Sequence, residues 1–300
     1  MLDLCTLGTG GTMPMPDRAL SALYARVNGR AILIDCGEGT QVAVQRLGWG
    51  MQCIDAILIS HFHADHCSGL PGMLLALTKA LRTEPLHIYG PVGLEQVVNG
   101  LRVIAPQLTF PVVLHEMSGH TEFEQIGLQI TAFPVDHGMP CYGFRLHLPR
   151  KAAFAPNKAR ALNVPLPLWK LLQKGESAEV DGRVIHPEDV MGAPRQGITV
   201  LYATDTRPVD DIPNLGFRSD LMILEGMYGA EEKHPLAVKN HHMLYREAAA
   251  LARDAETNHL LLTHFSTSVE DPEEFLDNAR DIFPNTDVAV DGMTITLQYP

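Results

Sequence analysis

Ile54-Asp55-Ala56-Ile57-Leu58-Ile59-Ser60 runs straight into His61-Phe62-His63-Ala64-Asp65-His66. The first seven residues are rich in isoleucine and carry one charge, which reads as a buried strand. The next six hold four candidate metal ligands, a density that packing does not require. Imidazole and carboxylate together suit zinc and its borderline neighbours. His61 and His63 are two residues apart, so an extended backbone sets them on one face. Asp65 and His66 follow the turn and are placed to reach a second ion. Three further candidates stand just past other apolar runs: His137 after Ala132-Phe133-Pro134-Val135-Asp136, Asp205 after Leu201-Tyr202-Ala203-Thr204, and His264 after Leu260-Leu261-Leu262-Thr263. Loops that follow strands are where α/β scaffolds carry chemistry.

Working outward, hydrophobic patterning predicts strands at 2–7, 22–27, 31–35, 86–89, 129–134, 142–147, 198–203, 221–224, 259–263, 288–290 and 294–297. Helices are predicted at 41–47, 73–81, 92–103, 245–255 and 272–282. The alternation of the two predicts a layered α/β domain with sheet at its centre. Gly8-Thr9-Gly10-Gly11 follows the first strand but departs from the G-x-G-x-x-G pattern of dinucleotide sites.

The chain has 300 residues, 46% hydrophobic and 19% charged, enough to build a core without metal as its only support. Its first residues lack the charged and apolar regions of a signal peptide, and no apolar run reaches membrane length. Five cysteines without a CxxC pair read as reduced thiols of a cytoplasmic protein, with Cys67 a small buried thiol rather than a ligand. Net charge is −12, yet residues 145–174 carry +7 with no Asp or Glu, leaving −19 on the rest. With prolines at 149, 156, 165 and 167, this stretch reads as an arm with one or two short helices. The arm is taken as residues 146–196, inserted into a single domain spanning 1–300. Phe154 and Trp169 are expected to pack within it.

These motifs resemble the metallo-β-lactamase superfamily and, within it, the ribonuclease Z branch. The resemblance rests on Leu7-Gly8-Thr9-Gly10, Asp35-Cys36-Gly37-Glu38-Gly39-Thr40-Gln41, the 61–66 motif with Gly69-Leu70-Pro71-Gly72, and Phe133-Pro134-Val135-Asp136-His137. Asp205-Thr206-Arg207, Leu262-Thr263-His264, Phe283-Pro284-Asn285-Thr286 and Asp291-Gly292-Met293 extend it almost end to end. It implies a β-sandwich with helices on both outer faces, the αββα arrangement, and metals at one edge. It further implies that His61, His63 and His137 hold one zinc and that Asp65, His66 and His264 hold a second. Asp205 would bridge the two, and manganese or iron(II) are the alternative ions.

By the same resemblance, Asp65 orients or deprotonates the attacking water. His242 matches a general acid for the leaving 3′-oxygen, and Glu225 the carboxylate that orients it. The implied activity is endonucleolytic removal of the 3′ trailer from precursor tRNA by a homodimer whose basic arm grips the tRNA. Three segments depart from the family pattern. His242-Met243-Leu244 replaces His-Ser-Thr, Ser266-Thr267-Ser268 stands where Ser-Ser-Arg supplies a phosphate contact, and Pro165-Leu166-Pro167-Leu168-Trp169 replaces a glycine-proline turn. A phosphodiesterase for small substrates such as cyclic nucleotides, or a non-catalytic RNA-binding relative, would share most of the same residues.

Overall fold

The computed structural model describes every residue from Met1 to Pro300. Sixteen strands follow in chain order. They are β1 (Leu2–Gly8), β2 (Ala22–Val27), β3 (Arg30–Ile34), β4 (Ile54–Leu58), β5 (Leu86–Pro91), β6 (Val112–Met117), β7 (Thr121–Gln125), β8 (Leu128–Val135), β9 (Cys141–Arg150), β10 (Ala178–Val180), β11 (Arg183–Ile185), β12 (Arg195–Ala203), β13 (Leu221–Glu225), β14 (Leu260–Thr263), β15 (Thr286–Val288) and β16 (Met293–Leu297). Two seven-stranded sheets carry the fold, in the orders β16-β1-β2-β3-β4-β5-β6 and β15-β14-β13-β12-β9-β8-β7.

Alternate residues explain the layers, because successive side chains on a strand face opposite ways. In the first sheet, Cys5, Leu7, Leu33 and Ile57 pack with Val44, Leu70, Met73, Leu74 and Leu77 of the helices Thr40–Leu47 and Leu70–Lys79. In the second, Leu201, Ala203, Met222, Leu224 and Leu262 pack under Ala248, Ala252 and Leu276 of the helices Tyr245–Asp254 and Leu276–Arg280. Their strand neighbours Leu4, Ile32, Ile34, Val200 and Ile223 are also fully buried, on the opposite faces. Both faces of each sheet are therefore covered, which is why the central strands read as continuous apolar runs. Each such side chain contributes about 1.5–3 kcal/mol through burial.

Two compact units divide the chain. The first comprises Met1–Leu148 and Ile198–Gln298, and holds both large sheets. The second is Pro149–Gly197 with Tyr299–Pro300. The second unit has its own small core of Ala159, Val164, Leu172, Val180, Ile185 and Val190, against which Phe154, Leu168 and Trp169 pack. Its parts are the helices Pro156–Ala161 and Leu166–Gln173 and the β10–β11 hairpin. The Phe154 and Trp169 rings lie 5.2 Å apart, and the indole N–H donates to the Val164 carbonyl at 2.9 Å. Both aromatics are thus arm packing, as expected.

The sequence reading differs from the structure in several places. β6, β7 and the β10–β11 hairpin were not anticipated. β7, Thr121-Glu122-Phe123-Glu124-Gln125, is a half-exposed edge strand with little apolar signal, and the hairpin strands have three residues each. The strand expected at 288–290 lies instead at Thr286–Val288. The second unit begins at Pro149 rather than at residue 146, and Arg145, at the start of the basic stretch, lies in β9 of the first unit. The second unit carries eight basic and five acidic residues, a net +3. Six of those cations lie in 149–174, where there is no acid, so its charge is concentrated in the helical half.

Candidate metal centre and active site

The site is assembled at strand ends. β3 and β4 are parallel, so their C-terminal ends fall on one edge, bringing Asp35 beside Ser60 and His61. Ser60 donates its backbone N–H to Asp35 Oδ1 (2.8 Å) and its hydroxyl to Oδ2 (3.0 Å). The short helix Ala64–Cys67 then carries Asp65 and His66. The loop after β3 presses on this turn, with Cys36 N–H bonded to the His66 carbonyl at 2.8 Å. Gly37 permits the approach, since a Cβ there would meet the Asp65 carbonyl oxygen at 2.1 Å.

The second sheet supplies the remaining groups. β12, β13 and β14 are parallel neighbours, so the residues just past their ends line up side by side. His137 follows β8, Asp205 follows β12, Glu225 closes β13 and His264 follows β14. Asp35, Asp205 and His264 all have φ between 56° and 61°, a left-handed conformation that costs about 1–3 kcal/mol for an ordinary residue and concentrates at functional sites. Gly11 packs on the His264 ring: a Cβ at that position would lie 2.7 Å from it.

The seven expected ligands converge. His63 Nδ1 is 2.9 Å from His61 Nε2 and 3.2 Å from His137 Nε2. His66 Nε2 is 3.2 Å from His264 Nε2 and 3.4 Å from Asp65 Oδ2. Asp205 Oδ2 lies 3.2 Å from Nε2 of both His66 and His264, and its Oδ1 lies 4.0 Å from His137 Nε2. Two ligands about 2.1 Å from a tetrahedral ion are about 3.4 Å apart, so these separations fit a shared ion. His61, His63 and His137 form one donor group and Asp65, His66 and His264 another, with Asp205 touching both.

Charge and satisfaction agree with that reading. Asp35, Asp65 and Asp205 are buried or nearly so, and their neighbours in the cluster are histidines rather than Lys or Arg. Buried carboxylates need compensating positive charge. Burial resists ionisation of Asp65, but hydrogen bonding to His264 and His66 holds its carboxyl well below the ordinary range. Burial likewise opposes charge on Asp205, and His264, His66 and His61 outweigh it. Burial, reinforced by His66, pushes His61 down to about 2, and burial lowers His137. His66 differs: burial opposes its charge, but Asp205 and Asp35 outweigh burial and raise it well above the ordinary range, so a cation bound there would displace its proton. Asp205 Oδ2 and His264 Nδ1 are buried yet have no hydrogen-bond partner. The residues present therefore fit a divalent metal.

Surrounding groups fix the ligands from outside, as metal sites require. Asp35 Oδ2 is 2.9 Å from His66 Nδ1, Ser60 Oγ is 3.0 Å from His61 Nδ1, and the His241 carbonyl is 3.4 Å from His137 Nδ1. Thr12 donates its backbone N–H to Asp65 Oδ2 at 2.7 Å. In the sequence Asp35 stands out only as part of a motif, and nothing marks Ser60, Thr12 or His241 as supports of the ligands. An aspartate just past a strand, at a position with no apolar role, was the available signal. Burial raises the Cys67 thiol to about 11, which keeps it protonated near neutrality.

His242 and Glu225 meet beside the cluster. Glu225 is fully buried. Its Oε2 is 2.9 Å from His242 Nδ1, and its Oε1 accepts the Thr206 N–H at 2.6 Å. Burial opposes charge on His242, but Glu225, with Asp205 and Asp65 behind it, raises the imidazole to about 9. Arg207, clamped on Glu247, also binds the His242 carbonyl. A cleft of about 490 Å³ is lined by Thr12, His63, Ala64, Asp65, His137, Asp205, Asn240 and His242.

A converging His/Asp cluster at one edge of paired sheets flanked by helices defines a metal-dependent hydrolase of the metallo-β-lactamase fold. The short form of human tRNase Z superposes over 99% of both chains with a TM-score of 0.71 at 24% identity. The metallo-β-lactamase fold protein YhfI of Bacillus subtilis covers 98% of both with a TM-score of 0.70 at 19% identity. The chain belongs to the ribonuclease Z family. It is 46% identical to the ribonuclease Z of Lachnoclostridium phytofermentans over 300 residues, covering 100% of this chain and 99% of that one. It is 44% identical to that of Clostridium acetobutylicum, covering 97% and 96%. Residues 2–155 also match the family model described as anti-Pycsar protein Apyc1.

Proposed function

We propose that this chain is a two-metal endoribonuclease that removes the 3′ trailer from precursor tRNA in the cytoplasm, working as a homodimer. The observation that carries the chemistry is that His242 lines the same cleft as the converged ligands and is held from behind by the buried Glu225. His61, His63 and His137 would hold one cation and Asp65, His66 and His264 the second, with Asp205 between them. Zinc suits these donors best, and manganese or iron(II) are the alternatives. Two such cations, when bound, lower the pKa of water towards neutrality and neutralise charge building on the phosphoryl oxygens.

The chain's own groups then divide the work. Asp65, fixed by the Thr12 N–H, orients the attacking water and accepts its proton. His242 gives a proton to the departing 3′-oxygen, and Glu225 keeps the imidazole charged and aimed. The P–O3′ bond breaks, leaving a 3′-hydroxyl on the tRNA and a 5′-phosphate on the trailer. The helical half of the second unit, with six cations and no acid, would neutralise tRNA phosphates.

The test is cleavage of an unmodified tRNA precursor with the cut position mapped. A product ending in a 3′-hydroxyl after the discriminator base supports the reading. Turnover of small phosphodiesters without precursor cleavage would replace it with a second reading, a small-molecule phosphodiesterase, which the acidic first unit favours.

A further inference from the structure

Asn240 is, with Thr12, one of two polar residues lining the cleft that belong to neither the ligand set nor the acid pair, and the one that carries an amide. It sits at the C-terminal end of the exposed helix His234–Asn240, two residues before His242, and lines the same cleft. Its side chain is anchored, since Nδ2 donates to the Tyr228 hydroxyl at 3.3 Å. Tyr228 is itself buried among Met227, Ala237 and Leu244, and its ring lies 6.4 Å from that of His242. An amide offers two N–H donors and one carbonyl acceptor. With one donor engaged, one donor and the acceptor remain free.

The position of the acid fixes which part of the substrate comes near. His242 protonates the 3′-oxygen, so the ribose 5′ of the cut lies against it. On that ribose the 2′-hydroxyl is vicinal to the leaving oxygen. A hydroxyl both donates and accepts, which matches what Asn240 has left over. The 2′-hydroxyl is also the group by which a protein tells RNA from DNA at a given position. We propose that Asn240, held by Tyr228, is a specificity-determining residue that binds the 2′-hydroxyl of the nucleotide immediately 5′ of the cleaved bond. This rests on the proposed endoribonuclease reading and adds to it the means of ribose recognition.

The experiment compares a tRNA precursor with one carrying a single 2′-deoxy nucleotide 5′ of the cut. Each is cleaved by wild-type protein, Asn240→Ala and Tyr228→Phe. Loss of a neutral hydrogen bond is expected to lower wild-type kcat/KM by about 3- to 10-fold on the deoxy substrate. The change in leaving-group acidity acts on all three proteins alike, so the ratio of ratios isolates the contact. In Asn240→Ala the deoxy penalty should shrink to that shared effect, and Tyr228→Phe should fall between. Asn240 is exposed, and thermal melts check that the variants are folded. An equal deoxy penalty in wild type and Asn240→Ala overturns the inference while leaving the endoribonuclease reading intact. Failure of wild type to cut the all-ribose precursor overturns both.

Discussion

The two sheets contribute to the cleft in different ways. The first delivers Asp35 and then His61, His63, Asp65 and His66 within one turn of chain after β4. The second delivers its groups singly, from the ends of β8, β12, β13 and β14 and from the loop before the helix Tyr245–Asp254. Local backbone geometry fixes the first set, whereas strand register fixes the second. Ala203 pairs with Leu224, and Glu225 with Thr263; carried on by two residues from the first pair and one from the second, this register puts Asp205, Gly226 and His264 at one level. Glu225 then lies one level beneath, with Thr204. That offset of one residue separates a group that faces the ligand cluster from one that holds His242, because neighbouring residues on a strand face opposite ways.

Predictions follow from this contrast, in order of expected effect. Asp205→Ala removes the carboxylate that touches both ligand sets, so metal content by atomic absorption and hydrolysis of any phosphodiester should both collapse. Retention of two metals per chain would show that the second sheet is not needed to close the centre. His242→Ala should lower kcat on precursor tRNA by about 10²–10⁴-fold, the usual value of a general acid, with metal content unchanged. Loss of metal instead would make His242 a ligand and blur the division between levels.

Asp35→Ala tests the first sheet through its outer support and should weaken metal affinity about 10- to 100-fold in a chelator competition. Arm removal comes next: residues 150–196 replaced by a short glycine turn. β9 and β12 are neighbours in the sheet, with His147 Nδ1 2.9 Å from Thr199 Oγ1, so the strands can be joined directly. KM for precursor tRNA should rise about tenfold or more and lose salt dependence, while bis(p-nitrophenyl) phosphate hydrolysis persists. Equal loss on both substrates would deny the unit a role in RNA binding.

The smallest effect is in pH. His242 must be protonated to act, so activity falls as pH rises through its pKa, about 9 with Glu225 beside it. Cations at Asp65 and Asp205 would draw that limb lower. Glu225→Gln should move it further, towards the ordinary imidazole value of about 6.5. A limb that does not move would assign the proton to another group.

The same contrast explains what was legible in the sequence. The 61–66 motif is contiguous and announces itself. His137, Asp205 and His264 were found because each follows a clean apolar strand, and His242 because its neighbourhood resembles a family motif. Ser60, Thr12 and His241 escaped because their roles depend on backbone approach and outer hydrogen bonds, which leave no periodic trace. The layered α/β class was legible from the alternation of strands and helices, whereas the sandwich was expected only through the family resemblance. The edge strand β7 and the β10–β11 hairpin were not, since half-exposed or three-residue strands carry too little apolar pattern. The arm's extent was legible to within three residues, 146–196 against 149–197, but its overall charge was not. Arg145 of the basic stretch lies outside the unit, and the acids after residue 174 bring the unit to only +3.

The left-handed backbones of Asp35, Asp205 and His264 bear on the lifetime of the protein. At about 1–3 kcal/mol each, the three loops hold several kcal/mol that they would recover by relaxing. Bound ions oppose that relaxation, because binding to the native state alone stabilises it by mass action. When metal is scarce, these loops rather than the sheets would open first and become cleavable. The turnover rate of the chain would then track the supply of metal around it.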